Sequence, residues 1–145
     1  MAQPFDADNA DNLEDIEKQF AVKAVAQAET YWGLLEKIPG SKLKLTKHDD
    51  DIVEQVLEAF PEFKEPKNVA LINEGEMKSV SGKAKWRAFC EKFNEIEDYN
   101  FGTLLRSSVS DYYTQEGTIF VVRIQFYAIE LLRNKYGLND WIVQK

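Results

Sequence analysis

The chain is poor in the residues that catalysis uses most often. Its 145 residues include one cysteine, Cys90, and one histidine, His48. A single cysteine cannot form an intrachain disulfide, and this pair cannot make the usual Cys/His zinc site. A serine or cysteine nucleophile would need His48 as its base. His48 stands directly before Asp49, Asp50 and Asp51. That stretch reads as a solvated first helical turn whose carboxylates complement the helix dipole. It lacks the spacing of a calcium loop. Cys90 recurs with Trp86, Phe89 and Phe93 at helical spacing and reads as a small core residue.

Other absences narrow the field further. The seven glycines lie far apart, so neither G-x-G-x-x-G nor a phosphate-cradling loop can be written. A doubly wound nucleotide-binding fold would need alternating strands and helices, and the chain lacks that pattern. No apolar run reaches the length of a transmembrane helix. The opening "MAQPFDADNADN" is acidic and has no apolar segment, unlike a signal or transit peptide. Basic residues are in deficit, with 18 Lys and Arg against 25 Asp and Glu, a net charge of −7. Such a balance disfavours direct nucleic-acid binding and steers a basic protein partner. The expectation is a soluble cytoplasmic protein with no cofactor, no metal and no membrane contact.

What is present is an ordinary globular composition, 44% apolar and 12% aromatic, which argues against disorder. Residues 1–10 read as a flexible acidic lead, and 11–145 as a single globular domain. Asp11 and Glu14 have capping-box spacing. Beyond them Leu13, Ile16, Phe20, Ala24, Ala28, Tyr31, Leu35 and Ile38 form one stripe of a long amphipathic helix, ended by Pro39-Gly40. Gly33 is a weak point within it. "SKLKL" fits a short strand or a linker. A second helix from Thr46 buries Ile52, Val53, Val56, Leu57 and Phe60. "NVALI", residues 68–72, reads as a short buried strand. A third helix from about Gly82 to Ile96 presents Trp86, Phe89, Cys90, Phe93 and Ile96. The last main element, Thr118–Tyr136, is apolar on nearly every side and should be the central helix. Its start "TIFVV" leaves a strand open for four or five residues. Gly137 suits the position after its end. The predicted class is mainly α, with α+β as the alternative. It has about four main helices around an apolar C-terminal helix, and two or three short strands.

The candidate functional residues lie around "EDYNFGTLLRSS". Gly102 suits a tight turn, and Leu104 and Leu105 suit the core. Arg106 and Arg123 interrupt apolar runs, and an unpaired buried guanidinium is costly. Either they form internal ion pairs, with Glu130 two turns from Arg123 on one face, or they face a partner. Tyr99, Phe101, Tyr112 and Tyr113 are core if buried and interface anchors if exposed. The partner-binding set is therefore Tyr99, Asn100, Phe101, Arg106, Tyr112, Tyr113 and Arg123, with no catalytic residue.

The segments "MKSVSGKAKWRAFCEKF", "EDYNFGTLLR" and "YTQEGTIFVVRIQFYAIELLRNKYG", spanning Met77 to Gly137, resemble the small eukaryotic polysaccharide-biosynthesis-domain-containing proteins, the fungal members above all. The family name implies carbohydrate chemistry. The short members instead look like ATP-independent chaperones of newly made translation elongation factor one alpha, a GTPase. The nascent-polypeptide-associated complex at the ribosome is the implied recruiter. The alternatives are a polysaccharide-biosynthesis transferase and a generic interaction scaffold.

Overall fold

In the computed structural model, the described backbone covers residues 10–114 and 116–143, with side chains from Val22 onward. The acidic lead before Ala10 lies outside the described residues, as do the side chains of Asp11, Glu14, Leu13, Ile16 and Phe20. The elements run α1 (Ala10–Lys37), α2 (Asp49–Ala59), α3 (Pro66–Ala70), α4 (Glu74–Met77), α5 (Val80–Glu91), β1 (Gly102–Arg106), β2 (Thr118–Val122) and α6 (Arg123–Lys135). Four of the six described helices are long, as the sequence predicts. The sheet is a single antiparallel pair, with Leu104 opposite Phe120 and Leu105 opposite Ile119.

α6 is the helix the others cover. Ile124, Phe126, Ala128, Ile129, Leu131 and Leu132 are all buried along it. From α1, Ala24, Ala28, Tyr31 and Leu35 face inward, whereas Ile38 is 39% exposed and drops off the predicted stripe. α2 contributes Ile52, Val56 and Phe60, with Val53 and Leu57 half-buried against the same core. Trp86 of α5 joins Phe60, Phe63, Phe89 and Phe93 in a run of ring contacts.

Several boundaries differ from the sequence-based expectation, each for a local reason. "NVALI" is not a strand. Pro66 occupies the first turn of α3, where its missing N–H is harmless, and the helix continues to Ala70. Only Leu71 is extended, in an isolated bridge to Ser108, and its side chain is 65% exposed. "SKLKL" forms a 3-10 turn over Gly40–Lys42 and then a linker. α2 starts at Asp49 because the Asp49 carboxylate accepts from the backbone of Leu45 and Thr46, at 2.8 and 2.7 Å, tying down the approach. α5 starts early because the Ser79 hydroxyl accepts from Gly82 N–H. It also ends early, at Glu91.

"TIFVV" is indeed a strand, and it passes into α6 with no intervening loop. The exposed N–H groups at the start of α6 need acceptors. Gln125 Oε1 takes the N–H of Val122 at 2.9 Å, Phe101 O that of Arg123 at 2.7 Å, and Tyr99 O that of Ile124 at 2.9 Å. The "YNF" segment thus caps α6 with its backbone. Gly102 is not in a turn conformation. It opens β1, and a Cβ there would lie 2.3 Å from the ring of Phe120, which covers the glycine. Leu105 is fully buried, while Leu104 points to the other face and is half-buried. Gly137 has φ 72°, with Leu138 N–H on Arg133 O and Gly137 N–H on Asn134 O, a Schellman ending.

Candidate interaction site over a buried arginine network

Arg106 and Arg133 are the two largest fully buried side chains, and fully buried Glu130 lies between them. Arg133 Nη1 donates to Glu130 Oε2 at 2.8 Å, and Arg106 Nη2 approaches Glu130 Oε1 at 3.5 Å. Burial alone would raise the Glu130 carboxyl. The charges of Arg133 and then Arg106 outweigh it and hold the group below the ordinary carboxylate range.

Most of the remaining donors are spent on backbone and amides. Arg133 Nε donates to Val69 O at 2.7 Å and Nη1 to Arg106 O at 2.8 Å, pinning the end of α3 and the end of β1 to α6. Arg106 Nη1 donates to Val109 O and Asp111 O, each at 3.1 Å, and Nη2 to Asn139 Oδ1 at 2.5 Å. Asn139 Nδ2 reaches Glu130 Oε1 at 3.1 Å and Asn134 Oδ1 at 2.7 Å, and Asn134 Nδ2 reaches the Tyr31 hydroxyl at 3.1 Å. Burial pushes the Tyr31 hydroxyl well up, reinforced by the Glu130 charge, so it stays protonated. Most of the polar atoms in this network are hydrogen-bonded, as buried ions require, and Arg106 Nε is the buried donor left without a partner.

Arg106 therefore takes the internal reading and is removed from the set of partner-facing residues. Its guanidinium also lies 5.3 Å from the ring centre of Trp32 and 5.9 Å from that of Tyr113. The expected Arg123–Glu130 pair does not form. Arg123 Nη2 instead donates to Gln27 Oε1 at 3.0 Å, which also accepts from the Thr103 hydroxyl at 2.7 Å. Glu130 is taken by Arg133, in the last turn of the same helix.

The other candidates fall into two groups at opposite ends of β1, about 13 Å apart for four residue steps. At the Gly102 end lie Tyr99, half-buried against the core, exposed Asn100, and Phe101, 41% exposed. At the Arg106 end lie Tyr112, 48% exposed, and half-buried Tyr113. Burial pushes the Tyr113 hydroxyl upward. Two tryptophans absent from the predicted set complete the second group. Trp32 meets Tyr112 edge-on at 4.8 Å and Trp141 at 6.0 Å. The signal for Trp32 was a second ridge of α1, Val25, Glu29, Trp32 and Glu36, beside the buried stripe.

Burial pushes the Cys90 thiol up to about 12. No group of three or more metal-ligating side chains occurs among the described residues, nor any helix long and apolar enough to cross a membrane.

Residues 16–144 match the family model described as PBDC1 protein. The chain belongs to this polysaccharide-biosynthesis-domain-containing family. It is 57% identical to a Schizosaccharomyces pombe PBDC1 homolog, over 98% of this chain and 97% of that one. The Saccharomyces cerevisiae homolog is 61% identical over 96% of each. A solution NMR structure of a Saccharomyces cerevisiae protein, 61% identical, superposes with a TM-score of 0.86, covering 97% of this chain and 98% of that one. The family resemblance read from Met77–Gly137 thus extends across nearly the whole chain.

Proposed function

We propose that the protein is a non-enzymatic, ATP-independent chaperone that binds translation elongation factor one alpha while the factor is being made at the ribosome in the cytoplasm. The nascent-polypeptide-associated complex would bring it there. Near-full-length membership of the family carries this reading, since the short members resemble such chaperones. Two physical properties support it. The net charge of −7 suits a basic client and disfavours RNA. Exposed Tyr112, Trp141, Phe101 and Phe120 supply ring surface of the kind that anchors protein interfaces.

The test is capture of ribosome-bound nascent chains by the purified protein. Elongation factor one alpha chains are expected in the bound fraction without ATP, and an unrelated nascent GTPase is not. Absence of the elongation factor from that fraction refutes the proposal.

A second reading, a carbohydrate-modifying transferase, is favoured by one observation. A groove of about 520 Å³ runs past Asn68, Asn73, Glu76, Ser79, Lys85 and Trp86. Calorimetric titration with a nucleotide sugar separates the two. A micromolar dissociation constant, about 8 kcal/mol of binding, would favour the transferase.

A further inference from the structure

The rings at the Arg106 end of β1 come from three separated segments and face solvent together. Trp141 is 55% exposed and Tyr112 is 48% exposed, with half-buried Trp32 between them. They are held in place before any partner arrives. Trp141 Nε1 donates to Val109 O at 2.9 Å, the same carbonyl that accepts from Arg106. Edge-to-face contacts fix the ring planes, at 85° for Trp32 with Tyr112 and 71° for Trp32 with Trp141. Rigid rings lose little entropy on binding.

Charge identifies the occupant. The three segments supplying the rings, residues 24–36, 107–122 and 137–143, contain no lysine or arginine, although the chain has 18. They do carry exposed Glu29, one turn from Trp32, Asp111 beside Tyr112, and Asp140 beside Trp141. Arg106 beneath the rings is fully buried and paired with Glu130, so it adds no accessible cation. Its charge weakens any cation–π attraction at Trp32. The rim carboxylates therefore supply the attraction, while the rings accept the methylene stems of long basic side chains.

We propose that Trp32, Tyr112 and Trp141, with Glu29, Asp111 and Asp140, form the docking surface for a lysine- or arginine-rich segment of the client protein. The inference rests on the chaperone reading above for the client's identity.

The experiment measures capture of ribosome-bound nascent elongation factor one alpha by the full chain, over a range of salt concentrations. Three proteins are compared: wild type, Trp141→Ala, and the double variant Glu29→Lys/Asp140→Lys. Wild-type capture is expected to weaken as salt screens the rim. Both variants should bind at least about tenfold more weakly. The charge-reversed variant alters exposed side chains, so its melting temperature should stay near that of wild type and loss of binding cannot be ascribed to unfolding. If wild type binds and the double variant binds equally well, this surface is wrong and the chaperone reading survives. Wild-type capture that strengthens with salt marks an apolar occupant and overturns the proposal. Failure of wild type to capture the nascent factor removes the chaperone reading, and this inference with it.

Discussion

Replacing Glu130 by glutamine keeps the side-chain shape and removes the carboxylate that lies between two buried guanidinium groups. An ion pair with charge centres about 4 Å apart contributes roughly 4 kcal/mol at an effective dielectric constant of 20. Arg133 is in direct contact with Glu130 at 2.8 Å, and Arg106 adds a weaker share at 3.5 Å. Removing the carboxylate relieves its own desolvation but strands both cations. Breaking a buried pair in this way typically costs about 3–5 kcal/mol. With a urea m-value of about 2 kcal/mol/M, the unfolding midpoint should fall by about 2 M. The pH dependence gives a second reading of the same charge. The Glu130 carboxyl is held below its ordinary value in the folded protein. Its contribution is therefore complete above the unfolded value, about 4.3, and is lost as pH falls through the folded one. The gap between wild type and Glu130→Gln should be constant near neutrality and close in acid. A loss below about 1 kcal/mol at neutral pH, or a gap that does not narrow in acid, would refute the account of a network held together by the Glu130 charge.

Gly33 lies in the interior of α1, and a Cβ added there meets nothing within 4 Å. Gly33→Ala should therefore stabilise the fold by about 0.5–1 kcal/mol, seen as a melting temperature raised by a few degrees. Its failure to rise would mean that α1 bends or opens at this point. The thiol of Cys90, raised to about 12 by burial and then by the neighbouring Glu91 charge, should alkylate at pH 8 at least about a hundredfold more slowly than a free cysteine. Denaturant should restore the ordinary rate, and fast reaction in the native protein would contradict the placement of this side chain.

The elements that could be read from sequence are those whose signal is local. α2, α5 and α6 announce themselves by apolar spacing, and the end of α6 by Gly137. The run "TIFVV" is β-branched enough to mark β2. "NVALI" has the composition of a strand, but Pro66 two residues earlier starts a helix that absorbs its first three residues. Arg106 stood out because it interrupts apolar sequence, yet its direction depends on Glu130 and Asn139, 24 and 33 residues later. Arg133 was hidden by its ordinary place in a last helical turn. The clue lay in its spacing of three from Glu130, inside a helix otherwise apolar at that level. Asn134 and Asn139 carry no local signal at all, since an asparagine near a helix end usually meets water. The exposed ring patch could not be assembled from sequence, because its members come from α1, the loop after β1 and the turn after α6.

α6 has a kinetic consequence. Synthesis runs from α1 toward α6, so α1, α2 and α5 are all made before the helix on which they pack. Tyr31 must wait for Asn134, 103 residues later, and Gln27 for Arg123, 96 residues later. Until then the parts of their apolar faces that pack on α6 have no native surface to cover. Contacts of such separation slow folding, because the chain must close large loops before any reward arrives. The ordering of this protein is therefore a late and concerted event. Its own growing chain should spend much of its synthesis exposed, dependent on the same kind of protection that it is proposed to give.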